Sequence, residues 1–172
     1  MKTVKILILA GFFSGLLSCN KDEINNTEVE TYIELLKTNQ YDAFRLPEFS
    51  FDDIPALLKY TYDFSVVNKF PHNPISSYAP TNSDYRLSVL VLWTIESIRL
   101  AATDNKLVLG FPSQHPFVQT KSEPIKWITN HEDKIYETIR QAYWNWWKEN
   151  EHKKISSFCN IDPLSETKYQ WH

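Results

Sequence analysis

The chain has 172 residues, of which 42% are hydrophobic, so it has the length of one domain and is too apolar for a disordered protein. Its formal net charge of −3 argues against a nucleic-acid-binding protein, because such proteins are usually basic. Only 3 residues are glycine, which excludes the glycine-rich loops that hold nucleotide phosphates.

Residues 1–18 have the order of a secretory signal peptide, with two lysines before an apolar run that extends to Leu17. This run is too short to span a bilayer, which needs about 20 apolar residues. It ends in Leu-Leu-Ser-Cys at residues 16–19, which resembles a bacterial lipobox. The resemblance implies that Cys19 receives a diacylglycerol thioether and becomes the N-terminus after cleavage. The alternative is an ordinary signal peptide with a chance cysteine, or a buried helix.

The residues after Cys19 refine the expected location. Lys21, Asp22 and Glu23 resemble the surface-export signal of lipoproteins in Bacteroidetes-type envelopes. That resemblance implies display on the outer leaflet of the outer membrane, with the periplasmic face as the alternative. We expect residues 19–27 to form a polar tether and residues 28–172 to form the folded domain.

Apolar residues at helical spacing predict five helices in this domain. The helices span residues 28–38, 50–63, 84–103, 131–150 and 162–171, and the third begins at Ser83 or Asp84. Ser50 and Asp162 are the predicted N-caps of the second and last helices. Residues 64–82 and 104–130 form two long loops, each with three prolines.

The third helix is predicted to be central, because apolar residues lie on nearly all of its sides. Its main stripe comprises Leu87, Leu90, Val91, Thr94, Ile95, Ile98 and Ala102. The fourth helix has a one-sided stripe of Ile135, Ile139, Ala142, Tyr143, Trp146 and Trp147. The predicted fold is all-α, a single compact domain of about five helices with two long proline-containing loops. Within it, residues 50–103 suggest a HEAT-like hairpin.

The first candidate binding site is the loop at residues 70–78. Its polar side chains are those of His72, Asn73, Ser76 and Ser77. Prolines stiffen the loop, and loops held in this way often bind ligands. The structural alternative is that Asn73 forms a turn with the proline after it, while the serines bond to backbone groups.

The second group of candidates lies on the two long helices. Glu96 and Arg99 can form an ion pair, either on the surface or partly buried. A glycosidase needs a second carboxylate about 5–10 Å away, and the sequence positions none beside Glu96. Trp144 points away from the fourth helix's stripe, and exposed tryptophans stack on sugar rings or on protein surfaces.

The sequence predicts no catalytic residue, no metal site and no cofactor. Its 5 histidines show neither the His-Glu-x-x-His pattern nor the Cys/His spacing of zinc ligands. No Gly-x-Ser-x-Gly elbow is present, which disfavours an α/β-hydrolase. Cys159 has no basic residue next to it in the chain, so a buried thiol is expected rather than a nucleophile.

Several segments resemble an uncharacterised family of small Bacteroidetes-type envelope lipoproteins. They are residues 46–50, 53–58, 70–77, 92–99, 142–147 and 162–164. The resemblance implies an envelope location and a compact helical domain. It brings no activity and no catalytic residue to this chain.

The expected function is that of an outer-membrane-anchored lipoprotein, acting as a non-enzymatic interaction or accessory module at the surface. The alternative is a glycan-binding lipoprotein that uses exposed aromatic side chains. A hydrolase that uses Glu96 or His72 ranks behind both. The expected partners are the membrane, through the N-terminal lipid, and a protein or a glycan, but not nucleic acid.

Overall fold

The computed structural model describes residues 21–76, 84–103, 105–128 and 132–172, which form a mixed α/β fold. Their α-helices are α1 (Lys21–Lys37), α2 (Ile54–Leu58), α3 (Leu87–Ala101) and α4 (Asp133–Asn150). Their short strands are β1 (Val66–Val67), β2 (Tyr85–Arg86), β3 (Val118–Thr120) and β4 (Tyr169–Trp171). Short 3₁₀ turns lie at Phe51–Asp53 and Ile155–Ser157. The predicted lipidation site, Cys19, lies outside the described residues.

The prediction of an all-α fold is wrong, because segments expected in loops, at the start of the third helix and in the last helix pair as strands. β1 pairs antiparallel with β2, and β3 pairs antiparallel with β4. Asp162 Oδ1 does accept a hydrogen bond from the backbone N–H of Leu164 at 2.8 Å. The chain nevertheless turns there and then extends along β3, so long-range strand pairing overrides the local helix signal.

The second predicted helix is shorter than expected, and the HEAT-like hairpin is therefore also wrong. Ser50 is the N-cap of the first 3₁₀ turn, and its backbone N–H donates to Asp53 Oδ2 at 2.7 Å. The helix that follows, α2, has only 5 residues. The strands β1 and β2 lie between α2 and α3 in the chain. In a helical hairpin, only a loop would connect the two helices.

α3 lies at the centre of the described fold, as its apolar pattern predicts. All its side chains from Leu87 to Arg99 are buried, and α1, α2 and α4 all contact it. Within the predicted stripe only Ala102 is exposed, because it lies just beyond the end of the helix.

α3 begins at Leu87 because β2 occupies the two residues before it. No side chain caps this helix. The N–H groups of Leu87 and Ser88 instead donate to the carbonyl oxygens of Ser65 and Asp63 at 2.9 and 2.8 Å. The backbone between α2 and β1 thus satisfies donors that the start of a helix leaves unpaired.

Candidate functional site

Glu96 and Arg99 form the predicted ion pair on α3, and both side chains are buried. Arg99 Nη2 donates to Glu96 Oε1 at 2.6 Å, and Arg99 Nε donates to Glu96 Oε2 at 2.9 Å. Arg99 Nη1 donates to the backbone carbonyl oxygen of Cys159 at 2.6 Å. Only 4% of Glu96 and 6% of Arg99 is exposed, so the fold covers the pair almost completely.

A chain of hydrogen bonds links this pair to α4 and β4. The Tyr143 hydroxyl donates to Glu96 Oε2 at 2.7 Å, and Trp171 Nε1 donates to the Tyr143 oxygen at 2.8 Å. Burial, and then the charge of Glu96, raises the pKa of Tyr143 well above its ordinary value, which keeps the hydroxyl protonated. Desolvation by itself lowers the pKa of Arg99. The hydrogen bonds from Arg99 to Glu96 and the negative charge of Glu96 outweigh this effect, and the pKa of Arg99 is raised. The arrangement favours a structural role, because it joins three elements.

The loop at residues 70–76 is folded around Asn73. His72 is exposed, Asn73 is buried, and Ser77 lies outside the described residues. Asn73 Nδ2 donates to the carbonyl oxygen of Ser113 at 2.8 Å, and its Oδ1 accepts from the N–H of Ile75 at 3.1 Å. Asn73 thus makes the turn of the structural alternative and also anchors the loop.

Ser76 brings the same loop against a buried histidine. Ser76 Oγ lies 2.9 Å from His115 Nε2, and His115 is 4% exposed. Trp93 Nε1 donates to Ser113 Oγ at 2.8 Å, and Ser113 Oγ donates to the His115 carbonyl oxygen at 3.0 Å. A serine beside a histidine is a pairing used in nucleophilic catalysis. Here the contacts hold both groups in a packed unit against α3, which favours a structural role.

The tryptophan side chains differ widely in exposure. Trp93, Trp146 and Trp147 are buried in the core. Trp144, the candidate on α4, is only partly exposed, and its Nε1 atom is buried without a partner in the described part of the chain. The residue Trp127 is 52% exposed. The exposed ring therefore lies in the segment between α3 and α4.

Trp127 lies beside the small sheet of β3 and β4. Gln119 in β3 is opposite Gln170 in β4, and on its other side it forms a bridge with Trp127. Directly opposed residues of antiparallel strands project from the same face, so the three side chains form one row. Gln119 is partly exposed and Gln170 is exposed. We call Gln119, Trp127 and Gln170 the indole–amide face.

Aromatic rings support one side of the Trp127 indole. The His172 ring meets it edge-on with 5.0 Å between ring centroids, and the Phe117 centroid lies 5.8 Å away. Phe117 also stacks on His172 at 4.9 Å and on His115 at 5.1 Å. Desolvation lowers the pKa of His172 below its ordinary value of 6.5, so this imidazole is neutral at pH 7. Trp127 is thus held at the end of a packed row of rings.

A groove of about 680 Å³ lies between α4 and residues 161–167. The side chains of Glu137, Glu149, Lys153, Asp162 and Glu166 contribute the charges of its lining. Glu137 pairs with the buried Arg140, and Lys153 Nζ donates to Asn150 Oδ1 at 2.9 Å. Across the residues that the structure describes, no three or more His, Cys, Asp or Glu side chains could hold a metal ion.

No sequence motif marks Trp127 and Gln119 as candidate residues. A signal for extended structure was present, since residues 117–120 and 125–128 are rich in β-branched and aromatic residues. Ser122 and Pro124 lie between the two runs, which is the pattern of a hairpin. Three prolines interrupt residues 104–130, and the sequence therefore predicts a loop there.

The comparisons with known proteins identify a family but no function. The model of a family described as a domain of unknown function, DUF4943, matches residues 23–172. Neither curated proteins nor solved structures give a significant match. Within the described ranges, none of the helices is long and apolar enough to cross a bilayer.

Proposed function

The chain belongs to the DUF4943 family, and on that premise we propose a role from its own residues. The protein is an outer-membrane lipoprotein, anchored by lipid on Cys19 and displayed at the cell surface. Its folded domain is a non-enzymatic interaction module. The sequence of residues 1–19 carries this proposal, because two basic residues, an apolar run, a small residue and a cysteine follow in the order of a lipoprotein signal.

Two features of the described residues support a module rather than an enzyme. The carboxylate of Glu96 bonds to Arg99 and Tyr143 inside the fold, which leaves it covered. His72, the other residue considered for a hydrolase, is exposed on its loop, whereas Glu96 is buried inside the fold. The two groups therefore do not form a general acid–base pair.

Replacement of the predicted lipidation residue tests the anchor directly. We expect Cys19→Ser to abolish incorporation of radiolabelled palmitate and to release the protein from the membrane fraction, because the thioether requires a thiol. The measurement is palmitate labelling of growing cells, followed by separation of membrane and soluble fractions. Stable attachment to a membrane takes more than one acyl chain. The proposed diacylglycerol carries its chains on Cys19, so replacement of this cysteine removes them together.

The second cysteine of the chain is the matched control. Cys159 is buried in the folded domain, so Cys159→Ala should leave palmitate incorporation unchanged. Equal labelling of the wild type and of Cys19→Ser would contradict the proposed anchor.

The acidic segment after the anchor is expected to direct surface display. Joint replacement of Lys21, Asp22 and Glu23 by alanine should leave palmitate labelling intact and reduce digestion by protease added to whole cells. The control replaces residues 132–134, which are an exposed Glu-Asp-Lys segment with the same net charge, and should leave digestion unchanged. Undiminished digestion of the first variant would show that these three residues are not the export signal.

A further inference from the structure

We propose that the indole–amide face binds a neutral saccharide. One sugar ring stacks on the indole of Trp127, and hydroxyl groups of the saccharide bond to the amides of Gln119 and Gln170. This inference rests on the proposed function, since it takes the domain to be an interaction module outside the cell. It adds the class of ligand and the residues that hold it.

The exposure of Trp127 is the first step. Tryptophan is on average a highly buried residue, yet 52% of Trp127 is in contact with solvent. Covering this ring with an apolar surface removes it from water and is favourable. A pyranose ring has a flat face of C–H groups and a rim of hydroxyls. It can therefore cover the indole while its polar groups keep hydrogen-bonding partners.

The two amides supply those partners. A glutamine side chain offers both donors and an acceptor, which matches hydroxyl groups that also donate and accept. Neither Gln119 nor Gln170 makes a side-chain hydrogen bond within the described part of the chain, so both amides are available. Neighbouring strands lie about 4.8 Å apart, and the row therefore extends about 10 Å, roughly the length of a disaccharide.

The rings behind Trp127 fix its position before a ligand arrives. His172 contacts the indole edge-on, and Phe117 packs against both rings. A side chain that is already held in place loses little conformational entropy on binding. The face thus combines an ordered stacking surface with amides at its side.

The charges around the row favour a neutral ligand. None of the three residues of the face is ionisable. In the neighbouring row, Lys121 Nζ already donates to the carbonyl oxygens of Leu164 and Ser165 at 2.7 and 3.0 Å. Lys168, opposite Lys121, is exposed. An acidic sugar would have to bind to Lys168 rather than to the indole–amide face. Neutral and acidic saccharides can therefore be distinguished by experiment.

The test uses the full-length lipoprotein solubilised in detergent. It is applied to an array of neutral oligosaccharides that end in hexoses or N-acetylhexosamines, with uronate-containing oligosaccharides as a second arm. We expect binding to members of the neutral set, little changed between low and moderate salt. Calorimetry with the best-bound oligosaccharide then gives the affinity of each variant.

Trp127→Ala should weaken that affinity at least tenfold, and Trp127→Tyr should restore much of it because a ring is present again. Gln119→Ala and Gln170→Ala should each weaken binding several-fold. Phe44→Ala is the control, since Phe44 is an aromatic residue with 72% exposure and lies outside the face. Circular dichroism of every variant establishes that it is folded. If Trp127→Ala does not fold, the expected several-fold losses in Gln119→Ala and Gln170→Ala still test the same face.

Three results would overturn the inference. The wild type and Trp127→Ala could bind equally well, or binding could be confined to uronates and be lost in Lys168→Ala. The third result is that the face binds a protein that carries no saccharide, in a way that depends on Trp127. If no oligosaccharide binds while Cys19-dependent anchoring and surface display hold, the saccharide site is wrong and the lipoprotein module stands. If saccharides bind but Cys19→Ser still incorporates palmitate, the anchor is wrong and the site stands.

Discussion

Glu96→Gln is expected to lower the free energy of unfolding by about 3–5 kcal/mol, the range found when one partner of a buried ion pair is removed. The change leaves the buried guanidinium of Arg99 without a countercharge. It also weakens the acceptor of the Tyr143 hydroxyl, which lies 2.7 Å from Glu96 Oε2. Chemical denaturation followed by tryptophan fluorescence measures the loss.

The exposed pair of Arg45 and Glu48 provides the matched control. Its side chains are also three residues apart and form a 2.7 Å contact, but 53% and 78% of their surfaces are exposed. Glu48→Gln should therefore change the free energy of unfolding by less than about 1 kcal/mol. If Glu96→Gln were as stable as Glu48→Gln, the buried network would not hold α3, α4 and β4 together. A stable Glu96→Gln that had lost ligand binding would instead assign Glu96 to a site.

The helices were predictable where local sequence decides burial. The sequence of α3 places apolar side chains on nearly all sides of the helix, and a helix with that pattern is usually buried at the centre of a fold. Its start was not predictable in the same way. The donors of Leu87 and Ser88 bond to backbone carbonyl oxygens more than 20 residues earlier in the chain, and no side-chain capping signal marks such a partner.

The strands were missed because each is too short to show a period. β1 and β2 have 2 residues each, and β3 and β4 have 3 each. Alternation needs about 4–8 residues to be recognised. Asp162 and the proline after it precede β4 and are a strong local signal for a helix. Residues 169–171 are nevertheless extended, because they pair with β3. Long-range contacts decide such segments.

The candidate site was predictable only in part for the same reason. The spacing of Glu96 and Arg99 predicts their ion pair. The hydrogen bonds that extend it come from Tyr143, 47 residues away, and from Trp171, and no local pattern predicts them. The position of Trp127 depends on its bridge with Gln119. The row of Gln119, Trp127 and Gln170 exists only after β3 has paired with β4 and this bridge has formed.

Ile95→Ala is the second change with a large expected effect, a loss of about 2–5 kcal/mol in the free energy of unfolding. Ile95 is fully buried on α3, the helix that α1, α2 and α4 all contact, so the missing methyl and methylene groups leave a cavity. The surrounding side chains are closely packed and can relax only in part. The loss would be a large part of the ~5–15 kcal/mol that stabilises a domain. Chemical denaturation measures it as a lower midpoint at unchanged slope.

The same substitution at an exposed isoleucine separates burial from residue type. Ile75 is 64% exposed, so Ile75→Ala removes the same atoms without opening a cavity and should change stability by less than ~0.5 kcal/mol. A loss at Ile95 several times larger than at Ile75 follows from the central position of α3. Equal stability of the two variants would mean that α3 does not present Ile95 to the core, and the placement of Glu96 one residue later would then be wrong as well.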